Sequence, residues 1–170
     1  MTATPRPTLI SMIVAADRRM AIGRRGDMLF HIPTDLRHFK AMTMGKPVIM
    51  GRRTWESLPG GALPGRRNIV ITRQRDYAAA GAETAASLAE AIAMVEGSCP
   101  EAVIIGGGEI YRQALPLARK VYLTHIDAEA EDADTFFPSL PEAEWEPVDE
   151  TVTTDQKSQL LLRFVCYCRK

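Results

Sequence analysis

Short apolar runs alternate along the chain with stretches of helical periodicity, and this alternation limits the fold more than any other feature. Runs bounded by glycine, proline or charged residues predict buried strands at residues 9–16, 47–50, 68–72, 102–105 and 120–125. Helical periodicity predicts helices at residues 34–44, 54–58, 87–96 and 109–118. Two alternating segments around the polar stretch 155–158 predict a closing antiparallel hairpin. The pattern is typical of an α/β fold with a mixed, mostly parallel central sheet, flanking helices and a C-terminal antiparallel hairpin.

Two of the predicted helices begin with a residue that can cap them. Ser87 and Glu90 have the spacing of a capping box, which predicts a well-defined start for the third helix. Thr34 is the predicted cap of the first helix, because its hydroxyl can accept a hydrogen bond from an unpaired backbone N–H group.

The size and charge of the chain limit the classes of protein that it can belong to. Its 170 residues and 46% hydrophobic content predict a single domain over residues 1–170, with residues 1–7 as a loose lead-in. The 21 basic and 21 acidic residues cancel. No large field of one sign therefore favours nucleic acid or a membrane surface as a partner, and we expect neither.

The cysteines predict a cytoplasmic protein without a metal site. Cys99, Cys166 and Cys168 form an odd set, and no signal-like segment precedes the first strand. Cys166 and Cys168 lie on one face of a strand-like run, but no second pair of cysteines or histidines accompanies them at metal-ligand spacing. We expect buried or half-buried thiols in a reducing compartment.

Three predicted strands end in glycine or arginine, which suits a phosphate-bearing ligand. The carboxyl ends of parallel strands form the ligand-binding edge of such sheets, where glycines allow close backbone approach and guanidinium groups pair with phosphate oxygens. A solvated basic turn explains the arginines equally well when they are taken alone. The glycine triplet is not a complete dinucleotide fingerprint, because Tyr111 stands where the third glycine would fall. Together these ends favour a phosphate-rich cofactor, and they comprise Gly51, Arg52, Arg53 and Thr54; Thr72 and Arg73; and Gly106, Gly107 and Gly108.

One acid, Asp35, lies where the predicted first helix presents its apolar face. Leu36, Phe39 and Met42 follow it at i+1, i+4 and i+7. An acid in the first helical turn often only complements the helix dipole. A functional interpretation needs a reason for burying this carboxylate, and a ligand with an amidine-like edge supplies one, because the carboxylate can accept two parallel N–H bonds from it. We expect burial to raise the pKa of Asp35.

Five segments in order, IPTDLRHFK, KPVIMGRRTWESL, LPGRRNIVIT, VIIGGGEIY and YLTHID, resemble the motifs of the dihydrofolate reductase family. The resemblance covers nearly the whole chain. It implies a central sheet of about eight strands, with NADPH and dihydrofolate bound in adjoining clefts. It also implies that the protein is a monomer, that it supports one-carbon and thymidylate metabolism, and that it is a target of antifolates.

The resemblance assigns roles to positions of this chain. The implied catalytic residues are Asp35, Thr124 and Met28. The implied substrate-binding residues are Ile13, Ala15, Phe30, Asp35, Leu36, Phe39, Ser57, Leu58, Leu63, Arg66, Ile105, Tyr111 and Thr124, with Arg66 as the partner of the folate glutamate carboxylate. The implied cofactor-binding residues are Ala15, Ile22, Gly23, Gly51, Arg52, Arg53, Thr54, Thr72, Arg73, Ile105, Gly106, Gly107, Gly108, Glu109, Ile110 and Tyr111.

Two further features follow from the resemblance. It implies a cis peptide bond between Gly106 and Gly107, and a mobile loop at residues 22–29 with Met28 at its centre. The chain departs from the family where Leu29 and Phe30 replace a common Pro-Trp pair. Because the Phe30 side chain has no N–H donor, the tryptophan's role in holding water beside the pterin does not carry over.

The implied reaction transfers the pro-R hydride of NADPH to C6 of dihydrofolate while N5 gains a proton. One alternative is a pyrimidine reductase of riboflavin synthesis, which shares the fold and the NADPH site. Asp35, Thr124 and Arg66 together argue against that enzyme. The other alternative is a non-catalytic folate or nucleotide binder, which the presence of both the acid and the glycine loop disfavours.

Overall fold

A computed structural model describes residues 7–25, 27–74 and 76–170, so the predicted lead-in lies almost wholly outside the described residues. The strands are β1 (Leu9–Ala16), β2 (Ala21–Arg24), β3 (Asp27–Met28), β4 (Val48–Gly51), β5 (Asn68–Ile71), β6 (Glu83–Ala85), β7 (Glu101–Gly106), β8 (Lys120–Ile126), β9 (Thr135–Phe136), β10 (Trp145–Thr154) and β11 (Leu161–Arg169). The helices are α1 (Pro33–Thr43), α2 (Arg52–Ser57), α3 (Leu88–Val95) and α4 (Gly108–Ala114), and a short 3-10 helix, Leu115–Leu117, continues α4.

Eight strands form the central sheet in the order β10-β11-β8-β1-β7-β4-β5-β6. Every neighbouring pair from β8 to β6 is parallel, and the two pairs that include β11 are antiparallel. The predicted mixed sheet and C-terminal hairpin are therefore confirmed. A second sheet of three strands, in the order β3-β2-β9, was not predicted, and neither was β6.

The parallel strands are covered on both faces, which explains their continuous apolar runs. Successive residues of one strand enter different clusters: Met12 packs with Ile104 on one face, and Ile13 packs with Val103 on the other. Helices α3 and α4 contribute to the first cluster, and the second includes Trp55 of α2. The carboxyl ends of β1, β4, β5 and β7 consequently share one edge of a rigid sheet.

The two predicted caps have different outcomes. Ser87 caps α3 by accepting a hydrogen bond from the Glu90 N–H, as predicted. The Glu90 carboxylate accepts from the N–H of Ala86, one residue before the N-cap residue whose N–H a capping box uses. The prediction for Thr34 is wrong, because Ile32 occupies the N-cap position of α1 and supplies no side-chain hydrogen bond. Thr34 instead lies inside the first turn, where its hydroxyl donates to Asp155.

Candidate active site

A buried carboxylate in the first turn of α1 contacts a buried threonine of β8. Asp35 is 7% exposed and Thr124 is 1% exposed. The Thr124 hydroxyl donates a hydrogen bond of 2.7 Å to Asp35 Oδ1. Burial raises the pKa of Asp35, and the hydrogen bond from Thr124 offsets part of that rise by favouring the carboxylate. The predicted buried acid with a raised pKa is confirmed.

The position of Asp35 follows from the start of α1 and the helical repeat. Pro33 opens the helix, which suits a residue without an N–H group. Phe39 and Met42 pack on the same cluster as Ile13 and share the sheet-facing side of α1 with Asp35. The predicted stripe is wrong for Leu36, which is 42% exposed. One residue advances the helix by about 100°, so Leu36 leaves the side on which Asp35 lies.

The ends of β1 and β7 lie beside this acid. Ala15 pairs in register with Thr124 across β1 and β8. The Tyr111 hydroxyl of α4 donates a 2.7 Å hydrogen bond to the carbonyl oxygen of Ile13, and burial raises the pKa of Tyr111. Ile13 and Ile105 belong to the same buried cluster. The hydrogen bond from Tyr111 therefore fixes the backbone of β1 at Ile13, and buried packing fixes β7 at Ile105. Both positions lie on the side of the sheet that α1 covers.

The predicted glycine loop brings the ends of β4 and β7 close together. The peptide bond between Gly106 and Gly107 is cis, and Gly106 has a φ of 131°, which favours glycine. A Cβ atom on Gly106 would lie 3.2 Å from Thr54 Oγ1, and one on Gly108 would lie 2.5 Å from Thr135 Cγ2. Gly51 is equally confined, since its Cβ would lie 3.3 Å from Ile110 Cγ1. The edge of the sheet therefore presents bare backbone at these positions.

Cationic side chains flank this backbone surface. Arg52 forms a 3.4 Å ion pair with Glu56 and lies 5.9 Å from the centre of the Tyr77 ring, while Arg53 is exposed. Thr72 and Arg73 line an open cleft between the end of β5 and the start of α3. Bare backbone beside guanidinium groups fits the diphosphate and phosphate of a dinucleotide. Glu109, by contrast, has its carboxylate engaged by Arg112 and Gln113 of its own helix.

The substrate-lining residues implied by the resemblance collect on the α1 side of the sheet. Phe39, Leu58 and Leu63 are partly buried against the cluster that contains Ile13 and Ile105. Ser57, at the end of α2, donates its hydroxyl to the carbonyl oxygen of Thr54. Phe39, Leu58 and Leu63 form an apolar surface on the side of the sheet where α1 carries Asp35.

Arg66 is held in place at one end of this surface. Its Nε donates to the Pro64 carbonyl oxygen at 2.9 Å, and its Nη1 donates to Thr43 Oγ1 at 3.0 Å. Partial burial lowers the pKa of Arg66. Thr43 did not emerge from the sequence, because an inward-facing threonine at a helix end carries no local sign of a tertiary partner.

The predicted mobile loop forms two strands of the small sheet. Ile22 and Gly23 belong to β2, and Met28 belongs to β3 with 42% of its surface exposed; residue 26 lies outside the described residues. Phe30 packs against a separate cluster. That cluster consists of Ile32, Ile126 and Leu162.

A family model described as dihydrofolate reductase matches residues 9–169. The chain belongs to the dihydrofolate reductase family. It is 50% identical over 160 residues to the dihydrofolate reductase of Neisseria meningitidis serogroup A, covering 94% of this chain and 98% of the relative. It is 46% identical over 163 residues to dihydrofolate reductase type 3 of Salmonella typhimurium, covering 95% and 99%.

A solved structure extends the family likeness to three dimensions. Dihydrofolate reductase from Enterococcus faecalis, complexed with NADP(H) and RAB-propyl, superposes with a TM-score of 0.89 at 30% identity. The match covers 97% of this chain and 99% of the other. Among the described residues, no helix is long and apolar enough to cross a membrane, and no cluster of three or more His, Cys, Asp or Glu side chains is placed to hold a metal ion.

Proposed function

We propose that this protein reduces 7,8-dihydrofolate to 5,6,7,8-tetrahydrofolate with NADPH, and that Asp35 is its catalytic acid. The observation that carries the proposal is the buried pair of Asp35 and Thr124 at the edge of the sheet. A carboxylate in this position can bind two parallel N–H groups of a pterin, which accounts for an otherwise costly burial. Family membership supports the same substrate.

NADPH fits the residues on the neighbouring strand ends. Gly51, Gly106 and Gly107 present backbone without a side chain, which allows the close approach of a diphosphate. A Cβ atom on Gly51 or Gly106 would also lie within 3.3 Å of a neighbouring side chain. Arg52, Arg53 and Arg73 supply positive charge for phosphate groups, and we propose that they favour NADPH over NADH. The remaining cofactor contacts proposed are Ala15, Ile22, Gly23, Thr54, Thr72, Ile105, Gly108, Glu109, Ile110 and Tyr111.

The protein's part in the proposed reaction is alignment and control of one proton. The hydride that reaches C6 of the pterin comes from NADPH, which supplies two-electron reducing power when bound. Asp35 binds the pyrimidine edge of the substrate and favours protonation at N5, directly or through water. Thr124 orients the carboxylate of Asp35. We propose that the loop at residues 22–29 closes over the nicotinamide ring with Met28 at its centre, and that this closure excludes water.

The rest of the folate molecule is proposed to lie along the apolar surface that ends at Arg66. A guanidinium held by Pro64 and Thr43 is preorganised to pair with the glutamate carboxylate of folate. The remaining substrate contacts proposed are Ile13, Ala15, Phe30, Leu36, Phe39, Ser57, Leu58, Leu63, Ile105 and Tyr111.

The proposal includes a single domain over residues 1–170 that acts as a monomer in the cytoplasm and supports one-carbon and thymidylate metabolism. The family match over residues 9–169 supports the single domain. The three cysteines are unpaired and half-buried, which is compatible with a reducing compartment.

The experiment mixes purified protein with dihydrofolate and either NADPH or NADH, and follows the loss of nicotinamide absorbance. Fast loss with NADPH, slower loss with NADH and chromatographic detection of tetrahydrofolate are expected. If NADPH is not consumed although both ligands bind, the protein is a binder and the proposed reaction is wrong.

A further inference from the structure

A second buried acid, Asp155, lies in the turn between β10 and β11, outside the residues assigned above. It is 1% exposed, although the turn around it is polar. Asp155 Oδ1 accepts hydrogen bonds from the Thr34 N–H at 3.1 Å and the Thr34 hydroxyl at 2.6 Å. Asp155 Oδ2 accepts from the N–H and the hydroxyl of Ser158, both at 2.8 Å. These four bonds hold the pKa of Asp155 well below its ordinary range, so the side chain stays charged at neutral pH.

The first turn of α1 needs an acceptor that its own sequence does not supply. The first N–H groups of a helix have no partner within the helix, and a side chain at the N-cap position usually satisfies one of them. Ile32 occupies that position here and cannot do so. Asp155, 121 residues later in the chain, accepts the Thr34 N–H instead. The hairpin turn therefore caps α1 from a distance.

This tertiary cap adjoins the proposed catalytic acid. Thr34 directly precedes Asp35, so Asp155 holds the N–H and hydroxyl of the residue before the acid, while Thr124 holds the carboxylate of the acid itself. Apolar contacts of Ile32 with Leu162, near the start of β11, reinforce the same junction. The hairpin and β8 together determine where the Asp35 carboxylate lies relative to the sheet.

We propose that Asp155 is a positioning residue for the reaction, which holds the first turn of α1 so that Asp35 stays buried against Thr124. This inference rests on the proposed function. Without the Asp155 carboxylate, the turn that carries Asp35 loosens and admits water. The Asp35 carboxyl then becomes more hydrated, and the substrate ring is aligned less well with the hydride donor.

The test compares Asp155→Ala and Asp155→Asn with Ser158→Ala and Asp149→Ala. Ser158→Ala removes two bonds within the turn, the one that the hydroxyl donates to Asp155 and the one that it accepts from the Leu160 N–H, without touching Thr34. Asp149 is an exposed acid on the same hairpin. For each protein, the single-turnover rate of hydride transfer is measured across pH, together with KM for NADPH. Tyr111 of α4 is a second titratable group whose pKa is raised by burial and by the charge of Asp35. None of the four substitutions changes Tyr111.

Asp155→Ala is expected to lower the hydride-transfer rate at neutral pH about tenfold, because small misplacements of reacting groups are costly. The pH midpoint of the rate should fall, since a more hydrated Asp35 has a lower pKa. Asp155→Asn keeps one acceptor oxygen and should recover part of the rate, as asparagine caps helices well. The hydride-transfer rates of Ser158→Ala and Asp149→Ala should remain within about twofold of the wild-type rate. The KM for NADPH should remain within about twofold of wild type in every variant.

The outcomes separate this inference from the proposed function. A wild-type protein that does not consume NADPH with dihydrofolate refutes the function itself. An active wild type whose rate and pH midpoint are unchanged in Asp155→Ala overturns the positioning role, and so does an equal loss in Ser158→Ala. If Asp155→Ala does not fold, Asp155→Asn decides: a wild-type rate and midpoint would overturn the inference, and a reduced rate with a lowered midpoint would support it.

Discussion

Replacement of Thr124 by valine removes the hydroxyl that hydrogen-bonds Asp35 and keeps nearly the same side-chain shape. The bond is 2.7 Å long, and both residues are buried, so no bulk water replaces the lost donor. A hydrogen bond to a charged group contributes about 1.5–3 kcal/mol. Since about 1.4 kcal/mol corresponds to one pKa unit, loss of the bond should favour the protonated acid by about one to two units.

The sign of the effect follows from which form of Asp35 the hydroxyl stabilises. Thr124 donates to the carboxylate and lowers its pKa, against the larger effect of burial that raises it. In Thr124→Val the rate of hydride transfer should therefore fall off at a pH about one to two units higher than in wild type. KM for dihydrofolate should also rise, because the carboxylate is less well oriented.

The assay is single-turnover hydride transfer with preformed complex, followed by nicotinamide absorbance over a range of pH. Thr124→Ser is the matched control, since it keeps the hydroxyl and should retain the wild-type midpoint. An unchanged midpoint in Thr124→Val, or the same shift in Thr124→Ser, would refute the assigned coupling between Thr124 and Asp35.

Three other outcomes are expected. Arg66→Lys should raise the KM for dihydrofolate at least about tenfold without changing the KM for NADPH, because an ammonium cannot make the two parallel hydrogen bonds that a guanidinium makes to a carboxylate. Equal rises in both KM values would contradict the proposed role of Arg66 in binding the folate glutamate. Asp35→Asn should melt above wild type at mildly alkaline pH, with each kcal/mol of added stability worth about 2–4 °C, and should lose this advantage in acid. The pKa of Asp35 is raised in the folded state, so the wild type loses stability as pH rises from the unfolded-state pKa to the folded-state pKa and stays less stable above it; calorimetry at both pH values checks this. Asp155 has a lowered pKa, so its stabilising effect is complete above about pH 4 and is lost as pH falls through the folded-state pKa; urea unfolding should show the gap between wild type and Asp155→Asn narrowing in acid.

The main sheet was predictable because its strands carry strong local signals. The run 9–16 coincides with β1 (Leu9–Ala16), since a strand buried on both faces needs continuous apolar residues. The second sheet was not predictable in this way. Its strands have two to four residues, include charged residues such as Arg24, and are joined across a long interval of sequence, as Gly23 pairs with Thr135.

The site was predictable in its residue types but not in its supports. Asp35 stood out because an acid preceded an apolar helical face, and its burial followed from that position. The partners that hold the site come from distant segments: Asp155 for Thr34, Thr43 for Arg66 and Ile13 for Tyr111. A local cap was expected at Thr34 because local spacing does not reveal that another part of the chain supplies the acceptor.

The most direct test of the central claim is the rate of hydride transfer in Asp35→Asn compared with wild type, measured with both ligands bound. The asparagine keeps the size of the side chain and loses the ionisable group. We predict that the variant binds NADPH normally and transfers hydride much more slowly at neutral pH, with a rate that rises in acid as the substrate is protonated from solvent. A variant that transfers hydride at the wild-type rate at neutral pH would show that Asp35 is not the acid of this reaction.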